Sequence, residues 1–282
     1  MTLCTGAKNE VCLLLKFVER KINRYSWTCN VEPPLHIVEN NNNKDACMTA
    51  KLITHVNTSQ VSSVQFMIDL VIYFAIMFLI REVYFEGYHF LVSGLFWSSA
   101  TLIAAIAFMR MRKVNWSEIG LNVPKSFKQA TIATVFIFAF SVGSIVIFQT
   151  IKNQLGLEVA QDLSDEQAVS KFGELENNWT LFFMLIPFVW LQSALEEILD
   201  RGFLINWFER AMANAWFATI VAVIIQAIVF GFRHSYDLSE RSITVGLIGL
   251  GMGIGYVAFG RNLWPLIIAH CVLNTMSFVG RV

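Results

Sequence analysis

The chain has 282 residues, of which 55% are hydrophobic and only 15% charged, against about 25% charged in an ordinary soluble domain. Its 21 Lys and Arg balance 21 Asp and Glu, so it has no basic excess with which to bind nucleic acid, and its apolar content excludes a wholly disordered chain. These numbers predict an all-α fold, a polytopic transmembrane helical bundle.

Residues 1–62 form a polar tail that holds 12 of the charges. Within it, residues 8–25 are predicted to lie on the membrane surface as an amphipathic helix. Pro33-Pro34 breaks any regular element, and the run from Asn40 to Asn43 reads as a linker. Four of the five cysteines (Cys4, Cys12, Cys29, Cys47) fall in this tail and Cys271 lies far downstream. With no CxxC pair or zinc-ribbon spacing, they read as unpaired thiols of a reducing compartment. The run Val11 to Leu15 is too short for the apolar core of a signal peptide, and Lys16 follows at once.

Seven spans follow, each judged against the roughly 20 apolar residues needed to cross a hydrocarbon core: 63–80, 90–109, 129–150, 179–199, 216–234, 242–260 and 263–280. The sixth carries Gly246, Gly249, Gly251, Gly253 and Gly255, whose small size allows close helix approach in lipid. Loop 110–128 holds Arg110, Arg112, Lys113, Lys125 and Lys128 against Glu118 alone, whereas loop 151–178 holds Lys152 and Lys171 against six acids. The positive-inside rule then predicts the first loop, and with it the N-terminal tail, to be cytoplasmic and the second loop to be outside.

Ionisable side chains within spans are costly, at least about 2.5–3.5 kcal/mol each, and usually face a cavity or a partner. Asp69 reads as an isolated polar contact. The other five cluster in the C-terminal half: Glu196, Glu197 and Arg201 at one span end, His234 at the next, and His270 in the last. On a helix Glu197 and Arg201 are i,i+4 neighbours that can pair, while Glu196 points about 100° away, toward the bundle interior. Two close carboxylates in a low-dielectric site separate their proton affinities, so one is poised as a general base or acid. The plainer alternative is an interfacial Glu–Arg pair ending a helix. His234, alone, would read as an interface residue, and His270 with Asn274 one turn later as an interhelical packing contact. Together these residues supply either a His2Glu metal set with an open position for water or a metal-free site. In the second, a glutamate activates water while His and Asn stabilise the oxyanion. No HExxH, GxSxG, P-loop or GxGxxG motif is present.

EExxxR (Glu196, Glu197, Arg201), FxxxH (Phe230, His234) and HxxxN (His270, Asn274), in that order on successive spans, resemble the CPBP (Abi-type) intramembrane proteases, which are similar to type II CAAX prenyl endopeptidases. The segment Trp116 to Leu121 and the lead-in Arg261 to Pro265 also resemble that family's pattern. The resemblance covers roughly residues 110–278, which would make 110–282 the protease domain, 63–109 two accessory helices, and 1–62 an unexplained tail. It implies Glu196 and Glu197 as water-activating carboxylates with His234 as partner, His270 and Asn274 as transition-state stabilisers, and Arg201 as the anchor of the glutamates. If a metal is bound, Glu197, His234 and His270 would be its ligands and Zn2+ the expected ion. Asp200 departs from the pattern, standing where the family has an aromatic, and as an extra acid it is expected to compete for Arg201.

The expected activity is therefore hydrolysis of a peptide bond in a hydrophobic or lipidated substrate, a prenylated CAAX-type tail or a bacteriocin or pheromone precursor. The expected partners are that substrate and the lipid bilayer, in a prokaryotic cell membrane, with no nucleic acid. The competing classes are a non-enzymatic immunity or adaptor protein and a proton-coupled transporter. Clustering of the polar residues on three helices, and the absence of repeat symmetry between the halves, favour hydrolysis over transport. One strain remains in this reading: Glu197 lies near the cytoplasmic end of its expected span, and His234 near the opposite end of the next.

Overall fold

The computed structural model describes residues 62–85, 90–159, 172–236 and 238–282. The tail with its four cysteines and surface helix, and the loop residues Asp162, Asp165, Glu166 and Lys171, lie outside the described residues. Every regular element described is helical. In chain order these are α1 (Ser63–Leu79, closing in a 3-10 turn Ile80–Glu82), α2 (Phe90–Met111), α3 (Phe127–Leu155), α4 (Trp179–Glu196), a π-helical stretch Glu197–Ile205, α5 (Asn206–Ala211), α6 (Ala218–Ser235), α7 (Glu240–Ala258) and α8 (Trp264–Val279).

Side-chain caps set several starts. Ser62 accepts from Val64 N while Gln65 returns to the Ser62 N–H, and Ser126 and Asn178 accept from Gln129 N and Leu181 N, so the first-turn donors have partners. Large apolar side chains such as Val71, Ile103, Val135, Phe183 and Ile228 face outward. A helix that leaves such residues exposed has lipid as its solvent, because only there does an apolar exterior cost nothing.

Among the described residues six helices are long and apolar enough to cross a membrane, and α8 is shorter. The seventh expected span is thus a 16-residue helix, about 24 Å long against a core of about 30 Å. Pro265 in its first turn and Gly280 at its end delimit it.

A second correction removes the strain in the depths of the site residues. The span expected over 179–199 does not stop there, because the helix continues through the π stretch to Ala211 as one apolar segment, Trp179–Ala211. Glu197 therefore lies fourteen residues before the Ala211 end, and His234 sixteen residues after the adjacent start of α6 at Ala218. At helical rise both are roughly 20–24 Å from the same end of the bundle, so the antiparallel helices bring them to one level.

Small residues permit the closest packing. A Cβ on Gly231 of α6 would come within 2.4 Å of the Ser242 carbonyl oxygen of α7, so these two backbones meet where no larger residue fits. At the end of the bundle that holds the 110–128 connection, segment Trp116 to Leu121 wedges between helices. Ile119 is fully buried, its carbonyl accepts from Tyr256 Oη at 2.9 Å, and the Gly120 carbonyl accepts from Leu263 N at 3.0 Å. Gly120 has φ +91, and a Cβ there would lie 2.3 Å from the Arg261 carbonyl oxygen, so both conformation and space demand glycine.

Asp69 is not an isolated polar contact. It pairs with both Arg112 Nε and a terminal nitrogen at 2.8 Å and accepts from Trp207 Nε1 at 3.1 Å, tying α1 to the ends of α2 and α5. That hydrogen bond to Asp69 raises the Arg112 pKa, against a smaller loss from burial.

Candidate active site

The site forms where the π stretch meets α6 and α8. A π turn is wider than an α turn and is found disproportionately at functional sites. Here it begins at Glu197, directly after Glu196, and carries Asp200 and Arg201.

Glu197 and Arg201, both fully buried, pair at 2.9 Å. Glu197 Oε1 also accepts from His270 Nδ1 at 2.7 Å, and the Arg201 guanidinium lies 4.1 Å over the Phe230 ring. A carboxylate held from two sides in this way is fixed in place, and its charge is matched. Glu196 is set differently. Its Oε1 accepts from Gln192 Nε2 at 2.9 Å, and Gln192 also donates to Ser98 Oγ of α2 at 2.7 Å. Its Oε2 lies 3.7 Å from His270 Nε2 and 4.0 Å from His234 Nε2. His234 donates from Nδ1 to the Phe230 carbonyl at 2.7 Å, which defines its tautomer and turns Nε2 toward Glu196. Asn274 donates to Ser193 Oγ at 2.9 Å, leaving its other amide N–H available.

Glu196, His234 and Asn274 line one cavity of about 210 Å3, shared with Gln192, Ser98, Arg233 and the aromatic residues Phe90, Trp97 and Tyr236. Glu197 and Arg201 stand behind it. The structure thus brings all six sequence-predicted residues into one connected cluster, with Glu196 toward the cavity and Glu197 toward the protein.

Two expectations are corrected. Asp200 does not compete for Arg201: its carboxylate is taken by Arg233 at 3.0 Å, a cation that the sequence reading passed over although it adjoins His234. The extra acid therefore has its own base. Nor is the metal set Glu197, His234 and His270 assembled. Glu197 is occupied by Arg201 and His270 Nδ1, the His234 imidazole faces Glu196, and among the described residues no group of three or more His, Cys, Asp or Glu is arranged to hold a metal ion. Sequence reasoning also missed Gln192, Ser193 and Ser98. Gln192 lies one helical turn before Glu196, a spacing that could have found it, whereas Ser98 belongs to α2 and has no local signal.

Comparison with known proteins agrees with the segment carrying this geometry. Residues 178–276 match the family model of the type II CAAX prenyl endopeptidase Rce1-like proteins. The matched segment runs from Asn178, the cap of α4, into α8, and includes all six clustered residues. It is therefore similar to a CAAX-type intramembrane protease, while α1, α2 and α3 lie outside the match. No curated protein and no solved structure matches the chain.

Proposed function

We propose that the protein is an intramembrane endopeptidase in which Glu196 activates the attacking water. The observation that carries this reading is the division of labour between the two glutamates. Glu197 is clamped by Arg201 and His270, whereas Glu196 faces the cavity with two imidazole Nε2 atoms within 4.0 Å of one oxygen. Glu196 takes a proton from water, and the oxygen attacks the scissile carbonyl carbon. The developing oxyanion is stabilised by the amide N–H of Asn274 that is not given to Ser193, with His270 held beside it through Nδ1 by Glu197. Collapse of the tetrahedral intermediate breaks the C–N bond, and the proton on Glu196 passes to the departing amine. His234, whose Nδ1 donates to Phe230, accepts from the water through Nε2 and so orients it beside Glu196, and Arg201 acts through Glu197 as a positioning residue.

The substrate class is a lipidated or hydrophobic peptide, because the cavity combines these polar groups with an aromatic lining inside a lipid-exposed bundle. The cavity is lined from the end of the bundle where α3 finishes and α4 begins. The loop charges put that end outside, so we infer that substrate enters from the non-cytoplasmic side.

The test is cleavage by purified, reconstituted protein of a farnesylated CAAX peptide and a panel of hydrophobic precursors. Glu196→Gln is expected to lower the rate by about 10²- to 10⁴-fold without changing the melting temperature. Equal cleavage by wild type and Glu196→Gln would overturn the assignment. Metal analysis of the same sample, with chelator treatment, reads out whether activity follows a bound ion.

A further inference from the structure

The two histidines do not by themselves fix the plane of the Glu196 carboxylate. Its Oε2 lies 3.7 Å from His270 Nε2 and 4.0 Å from His234 Nε2, both longer than a hydrogen bond. The terminal torsion of a glutamate is broad, so these contacts alone would let the carboxylate turn. Gln192, one turn earlier on α4, holds it: its Nε2 donates to Glu196 Oε1 at 2.9 Å. An ionised carboxylate only accepts, so the amide presents its nitrogen rather than its oxygen to Glu196. The second hydrogen on that nitrogen goes to Ser98 Oγ of α2 at 2.7 Å. Both N–H bonds of the amide are therefore committed within the protein, and neither is left for a substrate.

Ser98 is held in its turn. Its neighbour Trp97 donates from Nε1 to the Val83 carbonyl at 2.7 Å, which ties this part of α2 to the residue that follows α1 and its 3-10 turn. Thr101 donates to the Trp97 carbonyl at 2.7 Å, one turn further along α2. Hydrogen bonds and one peptide link thus run from the α1–α2 pair to the reacting carboxylate. They start outside residues 178–276, the segment that matches the family model, and Gln192 belongs to none of the motifs EExxxR, FxxxH and HxxxN.

We propose that Gln192 is a positioning residue for Glu196, held by Ser98, so that α2 completes the active site rather than standing beside it. This rests on the reading of Glu196 as the water-activating base. Pinning Oε1 leaves Oε2 as the oxygen that receives the proton, and keeps it facing the two imidazoles. A general base must lie within hydrogen-bond reach of the proton it takes, and a displacement of about 1 Å at a reacting group can cost about 10²-fold in rate. Loss of the Gln192 donor is therefore expected to slow turnover without weakening substrate binding.

The experiment measures kcat and KM of the reconstituted full chain on a farnesylated CAAX peptide. Gln192→Met, which keeps the length of the side chain and removes its N–H groups, is expected to lower kcat about 10- to 100-fold while KM stays within about two-fold. The same substitution in a Glu196→Gln background is expected to cause no further loss, because the carboxylate through which Gln192 acts is gone. Ser98→Ala is expected to lower kcat by a smaller factor, and Ser98→Thr, which keeps the hydroxyl, to recover most of that loss. An equal loss in both Glu196 backgrounds would make Gln192 a packing residue, and a raised KM at unchanged kcat would make it a substrate contact; either overturns the proposal. Should Gln192→Met not fold, the Ser98 pair decides, and equal kcat for Ser98→Ala and Ser98→Thr overturns it. Wild-type turnover by Gln192→Met beside an inactive Glu196→Gln would remove the positioning role alone. No cleavage by wild type, or full activity of Glu196→Gln, would remove the base assignment and this role with it.

Discussion

Removing Arg201 tests whether the clamp behind the site is structural as well as chemical. In Arg201→Met the side chain keeps an apolar stem of similar length but loses the cation. Glu197, fully buried, then keeps only its contact with His270 at 2.7 Å. Breaking a buried ion pair by deleting one partner costs about 3–5 kcal/mol, because the remaining charge is left without its counterion. Loss of the guanidinium from the face of Phe230 adds up to about 2 kcal/mol. For a bundle of this size the first figure alone lowers the melting temperature by roughly 6–20 °C. Peptide cleavage should fall as well, since Glu197, left with His270 alone, no longer fixes that imidazole in place. The double variant Glu197→Gln/Arg201→Met removes both charges and is expected to recover much of the stability but not the cleavage. Thermal unfolding in detergent, followed by tryptophan fluorescence alongside the peptide assay, reads both quantities. A single variant melting within about 2 °C of wild type, equivalent to under 1 kcal/mol, would show that the pair is not the buried clamp argued for here.

Other outcomes follow from the same coordinates. Asp69→Asn, which strips the carboxylate from Arg112 and Trp207, is expected to lower stability by about 2–4 kcal/mol, measured by the same melts. Arg112→Met combined with Asp69→Asn should recover part of that loss. Gly120→Ala places a Cβ 2.3 Å from a backbone oxygen at φ +91 and is expected to cost at least about 2 kcal/mol; a neutral result would mean that the Trp116 to Leu121 wedge is not tightly packed. Single cysteines introduced at Lys125 and at Leu157 in a cysteine-free background should label from opposite sides of sealed vesicles, Lys125 from the cytoplasmic side. Labelling from the reverse sides would invert the orientation and bring substrate to the cavity from the cytoplasm.

Hydropathy in the chain order, together with the near absence of charge from its long apolar runs, was enough to establish an all-helical membrane protein. Lipid offers backbone groups no hydrogen bonds, so a long apolar segment has no alternative to a helix. The Glu197–Arg201 pair was equally legible, because i,i+4 contacts are set by the helix itself, and the motif order placed His234, His270 and Asn274 on neighbouring helices. What the sequence could not decide was which groups meet over long separations. Asp200 stands next to Arg201 in the chain yet pairs with Arg233, 33 residues away, since adjacent helical side chains diverge by about 100°. Asp69 finds Arg112 across 43 residues, and Ser98 reaches Gln192 across 94. The length of the helix past Glu197 also escaped, because Asp200, Arg201 and Gly202 resemble a helix end until packing buries them. The helical offset already sets the two adjacent glutamates apart, but only the tertiary structure supplies their surroundings: it adds His270 to Glu197 beside Arg201 and leaves Glu196 facing the cavity. Those surroundings come from three helices that no local pattern brings together.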